Sequence, residues 1–214
     1  MSCILFMAGM LLAGSMAIAE PEPPRVDRYG DPLPLGAVAR LGTVRFRHGG
    51  YGLKALSFLP DGKTLVGAGE ERSIIFWDAE TGLRLREINT GELNIRGFGL
   101  SRDGKRIAVS GFWYPGGGAG KGAIRILETA TGKVLQSFAR EPRGMDSGSL
   151  AFTPDGKLLL SYAADGILRV EEISSGAEIL QHRFAADNGP FMAMSSDGER
   201  VAVITGPNTR KLYV

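Results

Sequence analysis

Cysteine is nearly absent from this chain: Cys3 is the only one in 214 residues. That excludes a disulfide framework and a thiolate metal site. Histidine is almost as scarce, with only His48 and His182. Neither has an Asp, Glu or His at metal-ligand spacing nearby, so both read as structural or surface residues. No Gly-x-Ser-x-Gly elbow occurs, and none of Asn89, Asn94, Asn188 or Asn208 begins an Asn-x-Ser/Thr acceptor. Like charges do not cluster. Lys plus Arg number 25 against 23 Asp plus Glu, a net charge of +2 that gives no drive toward nucleic acid or an anionic membrane. Past Ala19 no segment has the three-to-four spacing of an amphipathic helix, which excludes a helical fold. The glycine-rich run from Pro115 to Gly122 imitates a phosphate loop. It lacks Gly at 115 and Ser or Thr at 122, and no helix follows it, so no nucleotide or other cofactor is expected.

What is present falls into three parts. Ser2 to Ala19 has no charged side chain and ends Ala17-Ile18-Ala19. A short apolar core before such a site predicts a signal peptide over residues 1–19, cleaved after Ala19. The protein is then exported, to the periplasm or the exterior. The alternative is an uncleaved membrane anchor, for which this stretch is at the short limit. Removal of the leader would take Cys3 with it, in keeping with an oxidising compartment. Residues 20–35 hold Pro21, Pro23, Pro24, Pro32 and Pro34 and predict an extended linker. Residues 36–214 are the folded domain.

That domain repeats itself. Phe58-Leu-Pro-Asp61-Gly62-Lys63 recurs as Leu100-Ser-Arg-Asp103-Gly104-Lys105, Phe152-Thr-Pro-Asp155-Gly156-Lys157 and Met194-Ser-Ser-Asp197-Gly198-Glu199, with Asp-to-Asp steps of 42, 52 and 42 residues. A period near forty is the mark of a repeat architecture. Each unit reads as four short strands, a to d. The first unit predicts strands at 53–59, 64–68, 73–78 and 83–89. Proline presets φ in the a–b turn, Asp bonds its own backbone, and Gly takes the positive φ. A second turn recurs between c and d: Asp78 to Gly82, Glu128 to Gly132 and Glu172 to Gly176. The long step comes mainly from eight extra residues within 112–122, between strands b and c.

The run from Leu56 to Asp78, closing on Trp77-Asp78, resembles a WD40 repeat, and residues 36–214 resemble the exported WD40 proteins of bacteria. The resemblance implies an all-β β-propeller of four-stranded blades. Residues 30–48 resemble the strand d that precedes a first full repeat. The polar set that ties many WD40 blades is incomplete: Gly67 and Glu71 replace Ser and Asp in the first unit. Leu127 and Glu171 replace Trp in the second and third. About three and a half to four blades are expected. Four could close on themselves if residues 38–47 paired with 209–214. The preferred reading is an incomplete part of a larger, seven-bladed ring, with an open edge.

In the family's layout the b–c and d–a connections share the end that usually binds partners. The resemblance therefore implies a non-catalytic protein–protein interaction scaffold. Tyr51, Arg72, Phe112, Trp113, Tyr114, Arg143 and Asn188 are its candidate contacts, since exposed aromatics anchor interfaces. The plainer reading of Trp113 is that strand b continues and the indole packs between blades. Arg140, Asp146 and Asp187 would add to a mixed-charge rim. Asp61, Asp103, Asp155 and Asp197, with their glycines Gly62, Gly104, Gly156 and Gly198, are turn formers at the other end. Trp77 and Asp78 are structural too. Two other functions stay open. One is an exported propeller enzyme, lactonase-like or sugar-oxidising, which needs inward carboxylates or histidines where strand a shows mainly Leu, Ser, Phe and Ala. The other is a regulatory part of a longer multidomain protein.

Overall fold

A computed structural model describes residues 25–41, 43–48, 52–69, 72–141, 148–184, 191–205 and 211–213. The chain divides into two compact units, residues 1–43 and 44–214. In the first, residues 25–33 turn back on themselves through a single bridge, Val26 to Pro32. Asp27 organises this turn. Its carboxylate accepts the N–H groups of Tyr29 and Asp31 at 2.9 and 3.0 Å and pairs with Arg40 at 3.1 Å.

Among the described residues the second unit is all β apart from one 3-10 turn, Pro115–Gly117. Its strands form four antiparallel sheets. The first holds β1 (Leu53–Phe58), β2 (Thr64–Gly69), β3 (Ser73–Asp78) and β4 (Arg84–Asn89). The second holds β5 (Asn94–Leu100), β6 (Arg106–Trp113), β7 (Lys121–Glu128) and β8 (Val134–Arg140). The third holds β9 (Gly148–Phe152), β10 (Leu158–Ala163), β11 (Ile167–Glu172) and β12 (Glu178–Arg183). The fourth, among the described residues, holds β13 (Phe191–Met194), β14 (Val201–Thr205) and β15 (Lys211–Tyr213). The propeller-like all-β reading therefore holds.

The turns form for local reasons. The carboxylates of Asp61, Asp103, Asp155 and Asp197 each accept the N–H two residues on, at 2.8 to 3.0 Å. The following glycines sit at φ +64 to +79°, where a side chain would strain the backbone. A hydroxyl from Ser101, Thr153 or Ser195 also donates to its Asp, while Thr64 does so in the first turn. These bonds hold all four carboxyls below their ordinary pKa, led by the Lys63 and Lys105 N–H groups at Asp61 and Asp103. The Thr153 and Ser195 hydroxyls lead at Asp155 and Asp197. The c–d turns lie at the same end of each sheet, because Ala79, Thr129 and Ile173 donate their N–H to Lys63, Lys105 and Lys157 at 2.8 to 3.0 Å.

Each sheet has a face toward the preceding sheet and a face toward the next, and three apolar seams join them. Val66, Ala68, Ile74, Phe76 and Ile88 of the first sheet meet Ile95, Ile107, Val109 and Leu127 of the second. Ala108, Ile124, Ile126 and Phe138 then meet Leu150, Phe152 and Leu159. Leu160, Tyr162 and Leu168 meet Met192, Met194, Val201 and Val203. Sheet residues alternate between faces, so an inner sheet gives one set of side chains to the seam before it and the other set to the seam after it. The turns interlock as well: Pro60 lies on Gly104, Pro154 lies on Gly198, and Arg106 donates to the Gly156 carbonyl at 2.8 Å.

Two features depart from the sequence reading. The strand expected at 38–47 is not formed among the described residues of that stretch. Phe46 adopts φ +50°, outside the extended region, and donates its N–H to Gly82 O of the first sheet at 2.8 Å. Strand b of the second unit runs past Gly111, where the repeat pattern ends it, through Trp113 paired to Lys121, so the plainer reading of Trp113 holds and the insertion lengthens two strands before it loops out. The outermost strands share a feature with no sequence forecast. Pairing slips between Phe76 and Trp77, Ile126 and Leu127, and Val170 and Glu171. Leu85, Leu135 and Ile179 are the extra residues at these bulges, and all three are exposed.

Candidate functional site

The turns occupy one end of the sheets, so the b–c and d–a connections gather at the other. At that loop end Arg72 stands in the left-handed region at φ +61°, uncommon for a non-glycine residue. Its carbonyl accepts both the N–H and the hydroxyl of Thr90 at 2.8 Å. The exposed guanidinium reaches 3.5 Å toward the Asn94 side chain of the next sheet.

The three consecutive aromatics of the insertion go three ways. Phe112 is buried and packs with Ala163 of the third sheet. Trp113 is half-buried against the first seam, with the Arg125 guanidinium 5.6 Å from its ring. Arg125 in turn donates to Thr90 O at 2.9 Å. Tyr114 alone is 60 % exposed. Its ring meets Phe112 edge-on at 5.5 Å, and the Arg96 guanidinium sits 5.1 Å from the Phe112 ring. Below them a hollow of about 340 Å³ is lined by Trp113, Lys121, Ser137, Arg140 and Glu141. Arg140 is not a free member of the rim. It turns inward and pairs with Glu171, whose side chain is 2 % exposed. Tyr51, Arg143, Asp146, Asp187 and Asn188 lie outside the described residues.

At the flank of the first sheet His48 lies 6.2 Å from Trp77, ring to ring. The Trp77 ring covers Gly67 so closely that a Cβ there would come within 2.9 Å of it and 2.8 Å of Leu53. The glycine at this position therefore has a steric cause. Phe46 rests on Gly82 as Ile88 rests on Gly132 and Gln136 and Phe138 border Gly176. It stands where an outermost strand of a preceding sheet would stand. His182 is exposed on β12, beside Phe184 at 4.6 Å. Among the described residues no three His, Cys, Asp or Glu side chains converge as metal ligands. No helix in them is long and apolar enough to cross a membrane.

Sequence reasoning missed the Arg140–Glu171 pair. The signal was there: Glu171 occupies the position of Trp77 and Leu127, which both face the preceding sheet.

Radially repeated four-stranded sheets joined by apolar seams define the class as propeller-like. Residues 41–78 and 144–170 match the family described as WD domain, G-beta repeat. The two matches support a WD40-repeat family for this chain. They fall on β1 to β3 with the segment before them, and on β9, β10 and most of β11. WD40 repeats in general carry protein-interaction scaffolds. No curated protein matches the chain.

Proposed function

We propose that this is an exported, non-catalytic scaffold that docks a protein partner on its loop end. The observation carrying this reading is Tyr114, exposed yet braced edge-on by Phe112, whose own ring carries the Arg96 guanidinium. An aromatic already held in place loses little freedom on binding, and such residues dominate interface energies. Arg72 supplies a nearby charge on a fixed backbone. Phe112 and Trp113 support the platform, and Tyr51, Arg143 and Asn188 join the proposal by sequence position. Export rests on the apolar leader ending Ala17-Ile18-Ala19.

The test is capture of envelope proteins by the purified chain, compared with Tyr114→Ala and Arg72→Ala. A central anchor is worth ~2 kcal/mol, so Tyr114→Ala should weaken a captured partner by about 30-fold. Unchanged capture by a folded Tyr114→Ala protein overturns the site. Sequencing the N-terminus of protein from the exported fraction should begin at Glu20. Retention in the cytoplasm overturns export.

A further inference from the structure

The chain has seven methionines, and past residue 19 they are Met145, Met192 and Met194. Met145 lies outside the described residues. The other two stand on one face of β13, because strand residues two apart point the same way. By repeat position they correspond to Phe98 and Leu100 in the second sheet and to Leu150 and Phe152 in the third. Aromatic and branched side chains therefore close the first and second seams at this place. Two thioethers close the third.

These thioethers are also reachable. Both methionines are half-buried, whereas Leu150 and Phe152 are 8 % and 6 % exposed. They pack with Leu160, Tyr162 and Leu168 of the third sheet, beside their own strand partners Val203 and Val201. Apart from Tyr162, the described members of this seam carry no O–H or N–H on their side chains. The fourth sheet is lightly anchored here. Across residues 191–194 and 201–204, Val203 alone is buried. A change at two methionines is then a change to much of what holds β13 and β14 in place.

We propose that Met192 and Met194 are a reversible oxidation site, and that their sulfoxides loosen the fourth sheet from the third. The oxidant is a hydroperoxide. A sulfur lone pair attacks the O–O bond and takes one oxygen, so the sulfur loses two electrons. The other oxygen keeps its substituent, gains the hydroperoxide proton and leaves as water or an alcohol. The product is a polar, chiral group where a soft apolar one stood. Among Leu160, Leu168, Val201 and Val203 its oxygen has no hydrogen-bond donor, and burying such a group is unfavourable.

The test is hydrogen peroxide treatment of the full chain, with N-acetylmethionine in the same tube, read by peptide mass mapping and amide hydrogen exchange. Both methionines should gain one oxygen each. Exchange across β13 and β14 should then quicken by about tenfold or more, while β5 to β8 stay unchanged. Methionine sulfoxide reductases for both epimers should restore the slow exchange. Met192→Leu/Met194→Leu, a swap that nearly conserves volume, should keep slow exchange under peroxide. If that variant fails to fold, each single leucine variant should lose part of the response. Residues that resist peroxide while N-acetylmethionine is consumed overturn the proposal. So do sulfoxides at both positions with unchanged exchange, equal loosening in the leucine variants, or exchange that the reductases do not restore.

Discussion

Glu171 and Arg140 form an ion pair across the seam between the second and third sheets, with side chains 2 % and 14 % exposed. The pair is sparsely supported. Among the described residues neither Glu171 Oε2 nor Arg140 Nε makes a hydrogen bond, and burial lowers the Arg140 pKa. Two charges so placed attract each other, but both have given up water to do so. Removing one partner strands the other, at a cost of ~3–5 kcal/mol. For a domain of this size each kcal/mol moves Tm by ~2–4 °C, so Glu171→Leu should lower Tm by ~6–20 °C. Arg140→Met should be worse, because the carboxylate it strands is the more deeply buried of the two. The double variant Arg140→Met/Glu171→Leu should sit within ~1 kcal/mol of wild type or above it, since both desolvation costs disappear. Leu127 already fills the equivalent place in the second sheet at 2 % exposure. Thermal and urea unfolding of the four proteins gives the coupling as a double-mutant cycle. A Glu171→Leu protein with unchanged Tm, or a double variant as unstable as the sum of its singles, would refute the reasoning.

Two further outcomes follow from the turns and the first sheet. Gly67→Ala should destabilise by ~1–3 kcal/mol through overpacking, because its Cβ would lie 2.8 and 2.9 Å from Leu53 and Trp77. Differential scanning calorimetry against Gly67→Ala/Trp77→Leu, where the ring is gone, should show part of that loss returned. Acid should weaken the fold through Asp61, Asp103, Asp155 and Asp197, whose folded pKa values all lie below the ordinary one. A lowered carboxyl stabilises fully above its unfolded pKa, about 3.9, and loses that contribution as pH falls through the folded value. Urea midpoints measured from pH 6 downward should therefore hold to near pH 4 and then drop. Replacing the four by Asn should flatten the profile.

The turns were legible in the sequence because their chemistry is local. Asp61 needs only the N–H of Lys63 and a glycine beside it, so the motif survives in every unit. β3 and β11 fell where apolar runs between turns put them. The segment at 38–47 did not, because a strand d exists only when a neighbouring strand offers its edge. Phe46 kept the side-chain role, resting on Gly82, while its backbone turned away. The direction of Phe112 was hidden for a related reason. Which face a residue takes depends on where strand b ends, and β6 outran the expected end by two residues. Glu171 stood out as a polar residue in an apolar place, yet its partner lies in another repeat, and sequence spacing says nothing about contacts across a seam.

The bulges at Leu85, Leu135 and Ile179 bear on how such molecules meet. Each odd residue throws the outermost strand out of step with any ladder that would continue it. Rim-to-rim zipping is thereby discouraged, although the rim strands are the most accessible edges. Neighbouring sheets are left to meet through their flat faces, as they do in the three seams within the chain.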